Sequence, residues 1–139
     1  MKNHSSGFTL IEIVITLVLL LSILSLLSVS IVNQTRDARD NRRKTDLEEI
    51  RSALELYRMD QPNRAYPVSG DLAPFLVPTY LRTLPTDPAS NTNYDYSALP
   101  DSPLCDNTPG NLCSSYTLTT TLDDGSAYVV GPGFITPGI

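Results

Sequence analysis

The sequence predicts an α+β protein in which one long N-terminal helix packs on a small antiparallel β-sheet. All 11 prolines and six of the seven glycines of the 139-residue chain follow Gln61, so residues 8–61 contain neither residue type. Glycine costs a helix interior about 1 kcal/mol and proline about 3 kcal/mol, so a stretch this long without either is typical of one continuous helix. The turn-rich remainder contains the strand-like runs that would form the sheet.

The first half of the predicted helix is apolar enough to cross a membrane. Residues 8–32 carry one charge, that of Glu12, and about 20 such residues span a bilayer as a helix. The run is too long for a cleaved secretory signal, and no A-x-A-like cleavage site follows it. We therefore expect a retained transmembrane anchor.

Two features inside this segment each allow two interpretations. Glu12 is either a functional intramembrane carboxylate or a side chain that reaches the headgroups from the first helical turn, where the helix dipole favours it. Ser22, Ser25 and Ser28 recur every three residues. They either allow close approach of a second helix or donate hydrogen bonds back to their own helix.

The second half of the helix has an amphipathic pattern. Leu47, Ile50, Leu54 and Tyr57 follow one another at spacings of 3, 4 and 3 residues, which predicts one apolar face in need of a partner. The opposite side carries mixed charges from Arg36 to Arg58. These are expected to form a solvated face with i,i+4 pairs; pairs between subunits or contacts with anionic headgroups are the alternatives.

Pro62 ends the predicted helix, and residues 70–81 have the composition of a connector with one short helical turn. The Leu84–Pro88 stretch, LPTDP, is typical of a turn, and Asp124-Gly125 is a strong hairpin signal. The three strand-like runs are 93–97, 115–122 and 127–130. A small antiparallel sheet packed on the apolar helix face is the architecture that these elements favour.

Charge and composition exclude several classes of function. The chain has a formal net charge of −5, and residues 65–139 carry one basic and seven acidic side chains, which excludes a basic nucleic-acid-binding domain there. The single histidine, His4, lies near the N-terminus, and no phosphate-binding loop is present, so catalysis finds little support. A hydrolase built on Asp87, Asp95 and Asp123 stays open as an alternative.

Metal binding has equally weak support in the sequence. Asp95, Asp101 and Asp106 with Asn107 form at most a loose cation site whose spacing matches no calcium loop. Two cysteines without a nearby histidine do not make a zinc site. We therefore expect neither a metal nor a cofactor.

Cys105 and Cys113 enclose seven residues that include Pro109-Gly110, and we expect them to form a disulfide. A closed loop this short would stabilise the fold by roughly 2–3 kcal/mol in an oxidising compartment. The basic residues that follow the apolar segment favour a cytoplasmic C-terminal side, whereas the disulfide favours an extracytoplasmic one. The residues alone leave the orientation open.

The start of the chain closely resembles the class III signal of type IV pilins and of the major, pseudopilin G-like pseudopilins of type II secretion. Gly7 is followed by Phe8, Thr9, Leu10, Ile11 and Glu12, which coincide with the G-FTLIE pattern of that family. The stretches ALELYRMDQ, AYP and YLRTLPTDPASNTNYDY are similar to the pseudopilin pattern of helix end, YP, LP-x-DP and tyrosine-containing strand. The resemblance covers most of the chain and implies the type IV pilin-like version of the predicted fold.

The resemblance also implies a function and its residues. A prepilin peptidase would cut after Gly7 and methylate the new N-terminus at Phe8, and Glu12 would be the assembly carboxylate that pairs with the amino group of a neighbouring subunit. The chain would divide into a leader at 1–7, a transmembrane and filament-core helix at 8–32, and an extracytoplasmic domain at 33–139.

The implied protein is a non-enzymatic structural subunit of a type IV filament, either a type II secretion pseudopilus or a type IV pilus. It would sit in the bacterial inner membrane with its N-terminus cytoplasmic and enter a periplasmic or extracellular filament. Its partners would be identical subunits, the peptidase, an inner-membrane platform protein, an assembly ATPase and membrane lipids, with no nucleic acid. A membrane-anchored extracytoplasmic binding domain that never polymerises is the alternative.

The sequence departs from the family pattern in two places. Leu21 and Val29 stand where many members have a glycine and a proline in the hydrophobic helix. No carboxylate follows Asp124, so the calcium loop of the secretion members is not expected here.

Overall fold

The computed structural model describes residues 7–137, with the side chains of 26–33 and 134–137 left undescribed. Apart from Gly7, the predicted leader lies outside the described residues. The chain divides into two compact units, Met1–Asp37 and Ala38–Ile139. Within residues 7–137, the order of elements is one long helix, one short helix and four strands.

The long helix α1 runs without interruption over Leu10–Asp60, which confirms the helix predicted from the absence of glycine and proline. Thr9 caps its start, because the Thr9 carbonyl accepts the N–H groups of Glu12 at 3.1 Å and Ile13 at 3.3 Å. The Thr9 hydroxyl also accepts the Glu12 N–H at 3.4 Å. The helix ends two residues before Pro62, as proline requires.

Within the part of the chain that the structure describes, no helix is long and apolar enough to cross a membrane. The side chains of residues 26–32, which belong to the predicted span 8–32, are among those that the structure does not describe.

Four strands form one antiparallel sheet in the order β1-β2-β3-β4. The strands are β1 at Asp95–Leu99, β2 at Ser115–Thr121, β3 at Ala127–Gly131 and β4 at Phe134–Pro137. The three predicted strands are present within two residues of their expected bounds. The predicted hairpin joins β2 to β3, with the Leu122 N–H donating to the Ser126 carbonyl at 2.8 Å.

The fourth strand was not predicted. Pro132 and Gly133 join β3 to β4, and Gly133 has φ +76°, a backbone conformation that glycine adopts without strain. Proline followed by such a glycine suits a tight turn of type II. A proline- and glycine-rich C-terminus therefore contains a turn and a paired strand, with Gly131 opposite Phe134.

The core lies between the predicted apolar face of α1 and one face of the sheet. Leu47, Ile50 and Leu54 are at most 1% exposed, so the sheet covers this helix face. The sheet contributes Ala98, Tyr116, Leu118 and Val130, which are also buried. The cross-strand pairs Ala98–Tyr116 and Leu118–Val130 place these four side chains on one face.

The connection between α1 and the sheet closes one side of this core. It contains the short helix α2 at Ala73–Leu76, where the sequence predicts one helical turn. Tyr57 of α1 packs edge-on against Phe75 and Tyr80, with ring centroids 6.0 and 5.8 Å apart. Tyr66 packs edge-on against Tyr116 of β2, with ring centroids 4.7 Å apart.

Candidate functional site

The residues of the predicted processing site lie at the start of α1. Gly7 and Phe8 precede the helix and belong to no regular element, and Phe8 is 79% exposed. Glu12 lies in the first turn, where the unpaired N–H groups of the helix favour a carboxylate. Thr9 and Glu12 have the T-x-x-E spacing of a capping box, which is a local signal for the start of a helix. Gly7 and Phe8 therefore lie directly before the first turn of α1, and both are exposed in the single chain.

The helix surface that follows is apolar and exposed. Every large hydrophobic side chain described between Leu10 and Leu24 is at least 47% exposed. Contiguous exposed apolar surface of this kind marks contact with protein or lipid. The hydroxyls of Ser22 and Ser25 donate to the carbonyls of Leu19 and Ser22 at 2.8 and 3.0 Å. Ser22 and Ser25 therefore donate hydrogen bonds to their own helix, which is one of the two interpretations given above. Ser28 lies outside the described side chains.

A cluster of charged side chains lies in the Ala38–Ile139 unit and is centred on Arg43. Its side chain is 6% exposed, and its guanidinium pairs with one carboxylate of the same helix and with two from distant parts of the chain. Arg43 Nη1 lies 2.6 Å from Asp40 Oδ1 and 2.6 Å from Asp123 Oδ1, and Nε lies 2.6 Å from Asp87 Oδ2. One side chain of α1 thus binds both the LPTDP turn and the β2–β3 hairpin.

Neighbouring groups extend this Arg43 cluster. Arg39 pairs with Asp123, whose backbone N–H also donates to Asp40 at 3.0 Å. The other oxygen of Asp87 accepts the N–H groups of Ala89 and Ser90 at 2.8 and 2.9 Å. The acidic groups are therefore satisfied within the fold, as buried charges must be.

The cluster shifts the titration of its members. The hydrogen bond from Arg43 holds the pKa of Asp87 far below its usual range, with the Ser90 and Ala89 amides adding to the effect. The hydrogen bonds from Arg39 and Arg43 lower the pKa of Asp123 in the same way. The hydrogen bond to Asp87 raises the pKa of Arg43 against the opposing effect of burial. All of these groups are charged at neutral pH.

Three adjoining polar side chains are centred on Asp46. The Tyr94 hydroxyl donates to Asp46 Oδ2 at 2.9 Å, and Arg42 Nε donates to Asp46 Oδ1 at 2.8 Å. Asp46 is 2% exposed. Burial above all, and then the hydrogen bond to Asp46, raises the pKa of Tyr94.

These contacts correct the expectation that the charges of α1 form a solvated face. Arg43 and Asp46 are buried, because the turn at Asp87 and the hairpin at Asp123 fold over this part of the helix. Arg51 and Glu48 form a partly exposed pair at i,i+3 spacing, and the predicted i,i+4 spacing is that of Arg42 and Asp46. A signal was present in the seven acidic and one basic side chains of residues 65–139, because any of these carboxylates that is buried must take its cation from elsewhere in the chain.

The hydrolase alternative does not suit this geometry. Asp87 and Asp123 converge on Arg43, and their lowered pKa values leave them ionised at neutral pH. A general acid or base works best with a pKa near the operating pH. Asp95 lies with Asp87 on the wall of a cavity that Asp123 does not line. The arrangement supports a structural role for the paired aspartates.

Two of the four groups of the loose cation site, Asp106 and Asn107, form hydrogen bonds within the fold. The Asn107 amide donates to the Tyr66 carbonyl at 2.8 Å, and its oxygen accepts the Cys113 N–H at 2.9 Å. Asp106 accepts hydrogen bonds from Thr108 and Asn111. Within the described residues, no three side chains of histidine, cysteine, aspartate or glutamate are grouped to hold a metal ion.

Cys105 and Cys113 form the predicted disulfide, and both are buried. The loop they enclose is anchored to the core by Asn107, whose φ is +62°, a value that asparagine tolerates better than most residues. The Tyr66 N–H donates to the Cys113 carbonyl at 2.9 Å. The loop is thereby tied to the segment that follows α1.

Comparison with known proteins assigns the N-terminal residues to a class of signal. Residues 2–31 match the family model described as the prokaryotic N-terminal methylation motif. No curated protein and no solved structure gives a significant match.

The match places a type IV pilin-like prepilin signal at the start of this chain, and the long helix followed by an antiparallel sheet agrees with a type IV pilin-like fold. A signal of this type indicates a structural, pilin-like protein that is anchored in a membrane and processed by a peptidase. The motif covers both predicted processing residues, Gly7 and Phe8, and Glu12.

Proposed function

We propose that this chain is a subunit of a type IV filament, a type II secretion pseudopilus or a type IV pilus. The observation that carries the proposal is the methylation motif over residues 2–31. The α+β fold that follows it and the exposed apolar surface of α1 support the same function.

The proposed processing follows from the position of the site. The peptidase cuts between Gly7 and Phe8, which precede the helix, so the apolar segment remains on the mature protein. The segment at 8–32 anchors the subunit in the inner membrane with the C-terminal domain extracytoplasmic. The disulfide supports this orientation, because disulfides persist in oxidising compartments.

The proposed assembly step uses the same residues. Cleavage creates an amino group at Phe8, and Glu12 of a neighbouring subunit supplies the opposite charge. In an apolar environment such a pair is far stronger than in water, and either charge alone is costly. The exposed apolar side chains of α1 then pack against those of other copies. The peptidase, a platform protein and an assembly ATPase are the partners proposed for these steps.

The first experiment tests processing. We expect the intact mass of the protein extracted from membranes to correspond to a chain that begins at methylated Phe8. A chain that still begins at Met1, in cells that contain an active prepilin peptidase, would contradict the proposal.

The second experiment tests assembly. Glu12→Ala should abolish filament formation and leave membrane insertion and cleavage unchanged, because only the intersubunit pair is lost. Glu49→Ala is the matched control, since Glu49 is an exposed glutamate on the same helix. Filament formation by Glu12→Ala at the level of this control would favour the alternative, an anchored binding domain that does not polymerise.

A further inference from the structure

A polar cavity lies beside the Arg43 cluster, at the side of the sheet where β1 begins and β2 ends. Its volume is about 320 Å³, within the range of small-molecule sites. Its wall combines Arg43 of α1, the loop from Asp87 to Asn93, the start of β1 and the last residues of β2. No step of the proposed processing or assembly uses it.

The lining of the cavity consists mostly of neutral hydrogen-bonding groups. A hydroxyl donates one hydrogen bond and accepts two, and a carboxamide both donates and accepts. Seven lining residues carry such groups, namely Ser90, Thr92, Asn93, Tyr94, Thr119, Thr120 and Thr121. The Tyr94 hydroxyl already donates to Asp46, and the other six are the groups available to a ligand. A surface of this kind matches a ligand that presents several donors and acceptors of its own.

The charged groups of the wall disfavour an ionic ligand of either sign. Arg43 already pairs with three carboxylates, and an anion would also meet Asp87 and Asp95. Asp87 accepts hydrogen bonds from Arg43 and from two backbone amides, so a cation gains little from it and approaches a buried guanidinium.

We propose that this cavity binds a neutral polyhydroxylated ligand, the size of a single pyranose ring of a glycan. The hydroxyls of Ser90, Thr92 and the β2 threonines exchange hydrogen bonds with the hydroxyls of the ring. Asp95, exposed at the wall, accepts from a ring hydroxyl. For one ring in an open polar site, the expected dissociation constant is on the order of 1 mM. The proposal does not depend on polymerisation of the chain.

The test is saturation-transfer NMR with methyl β-glucoside and methyl β-galactoside on the full chain in phosphocholine micelles. A detergent without sugar is needed, because a glycosidic headgroup would compete for the site. We expect saturation transfer to at least one of the two glycosides at millimolar concentration. The absence of transfer to either would overturn the proposal.

Variants locate the binding. The double variant Thr119→Val with Thr120→Val keeps the shape and strand preference of β2 and removes two hydroxyls, so binding should weaken by about tenfold or more. Thr117→Val is the control, since Thr117 lies on the same strand outside the cavity. Near-UV circular dichroism verifies that both variants are folded.

Two further results would also overturn the proposal. Equal binding by the double variant and the control would place the sugar elsewhere on the chain. If methylammonium binds and the glycosides do not, and if the double variant no longer binds methylammonium, the cavity is a cation site.

Discussion

The replacement of Arg43 by methionine tests whether the Arg43 cluster holds the fold together. The change removes the shared partner of Asp40, Asp87 and Asp123, whose side chains are 19%, 13% and 15% exposed. Removing one member of a buried ion pair costs about 3–5 kcal/mol, because the remaining charge stays buried without a partner. Since these carboxylates retain some contact with water, we expect the lower end, about 3 kcal/mol.

The assay is thermal unfolding of the full chain, followed by near-UV circular dichroism. The chain has seven tyrosines and no tryptophan, and all of the tyrosines lie between Tyr57 and Tyr128. The signal therefore reports the unit that contains Arg43. A loss of about 3 kcal/mol corresponds to a decrease in Tm of roughly 10–20 °C for a unit of this size.

The control is Arg51→Met, on the same helix. Arg51 pairs with Glu48 at the surface, and loss of such a pair costs about 0.5 kcal/mol. Adding Asp87→Asn to Arg43→Met should recover part of the lost stability, because it removes one unpaired carboxylate. If Arg43→Met has the same Tm as the Arg51→Met control, the Arg43 cluster does not hold the fold together.

Three further predictions concern the pH dependence of stability, the disulfide and the isolated C-terminal fragment. The pKa of Asp87 is lower in the folded chain than in the unfolded chain. The stabilisation that Asp87 gains from Arg43 is therefore complete above about pH 4 and is lost as the pH falls toward the folded pKa. As the pH is lowered, the Tm of the wild type should decrease more steeply than that of Arg43→Met. Replacement of Cys105 and Cys113 by serine should cost roughly 2–3 kcal/mol in denaturant unfolding, and an equal midpoint for both proteins would contradict this. A fragment from residue 34 onward should fold and elute as a monomer in gel filtration, because the sheet already covers the apolar face of α1; aggregation on purification would count against it.

Several elements of the fold could be predicted because their signals are local. The continuity of α1 follows from the absence of glycine and proline between residues 8 and 61. The buried face of that helix follows from the spacing of Leu47, Ile50 and Leu54, and the β2–β3 hairpin follows from Asp124-Gly125. The disulfide was predictable because two cysteines allow one pairing.

Other features could not be predicted because they depend on contacts between distant residues. The pattern of charges along α1 does not distinguish Arg43, which is buried, from Arg51, which is partly exposed. The difference arises because the turn at Asp87 and the hairpin at Asp123 come to lie over one part of the helix. The cavity likewise combines a helix residue with a loop and two strands.

The N-terminal signal, the long helix and the small sheet that covers its apolar face can all be inferred from the order of the residues. These depend on short motifs and on periodicity, which act over a few residues. Which charges are buried, where β4 pairs and which residues line one cavity are properties of the folded chain. Those outcomes depend on which distant groups approach one another, because burial makes an unpaired charge costly and a paired one tolerable.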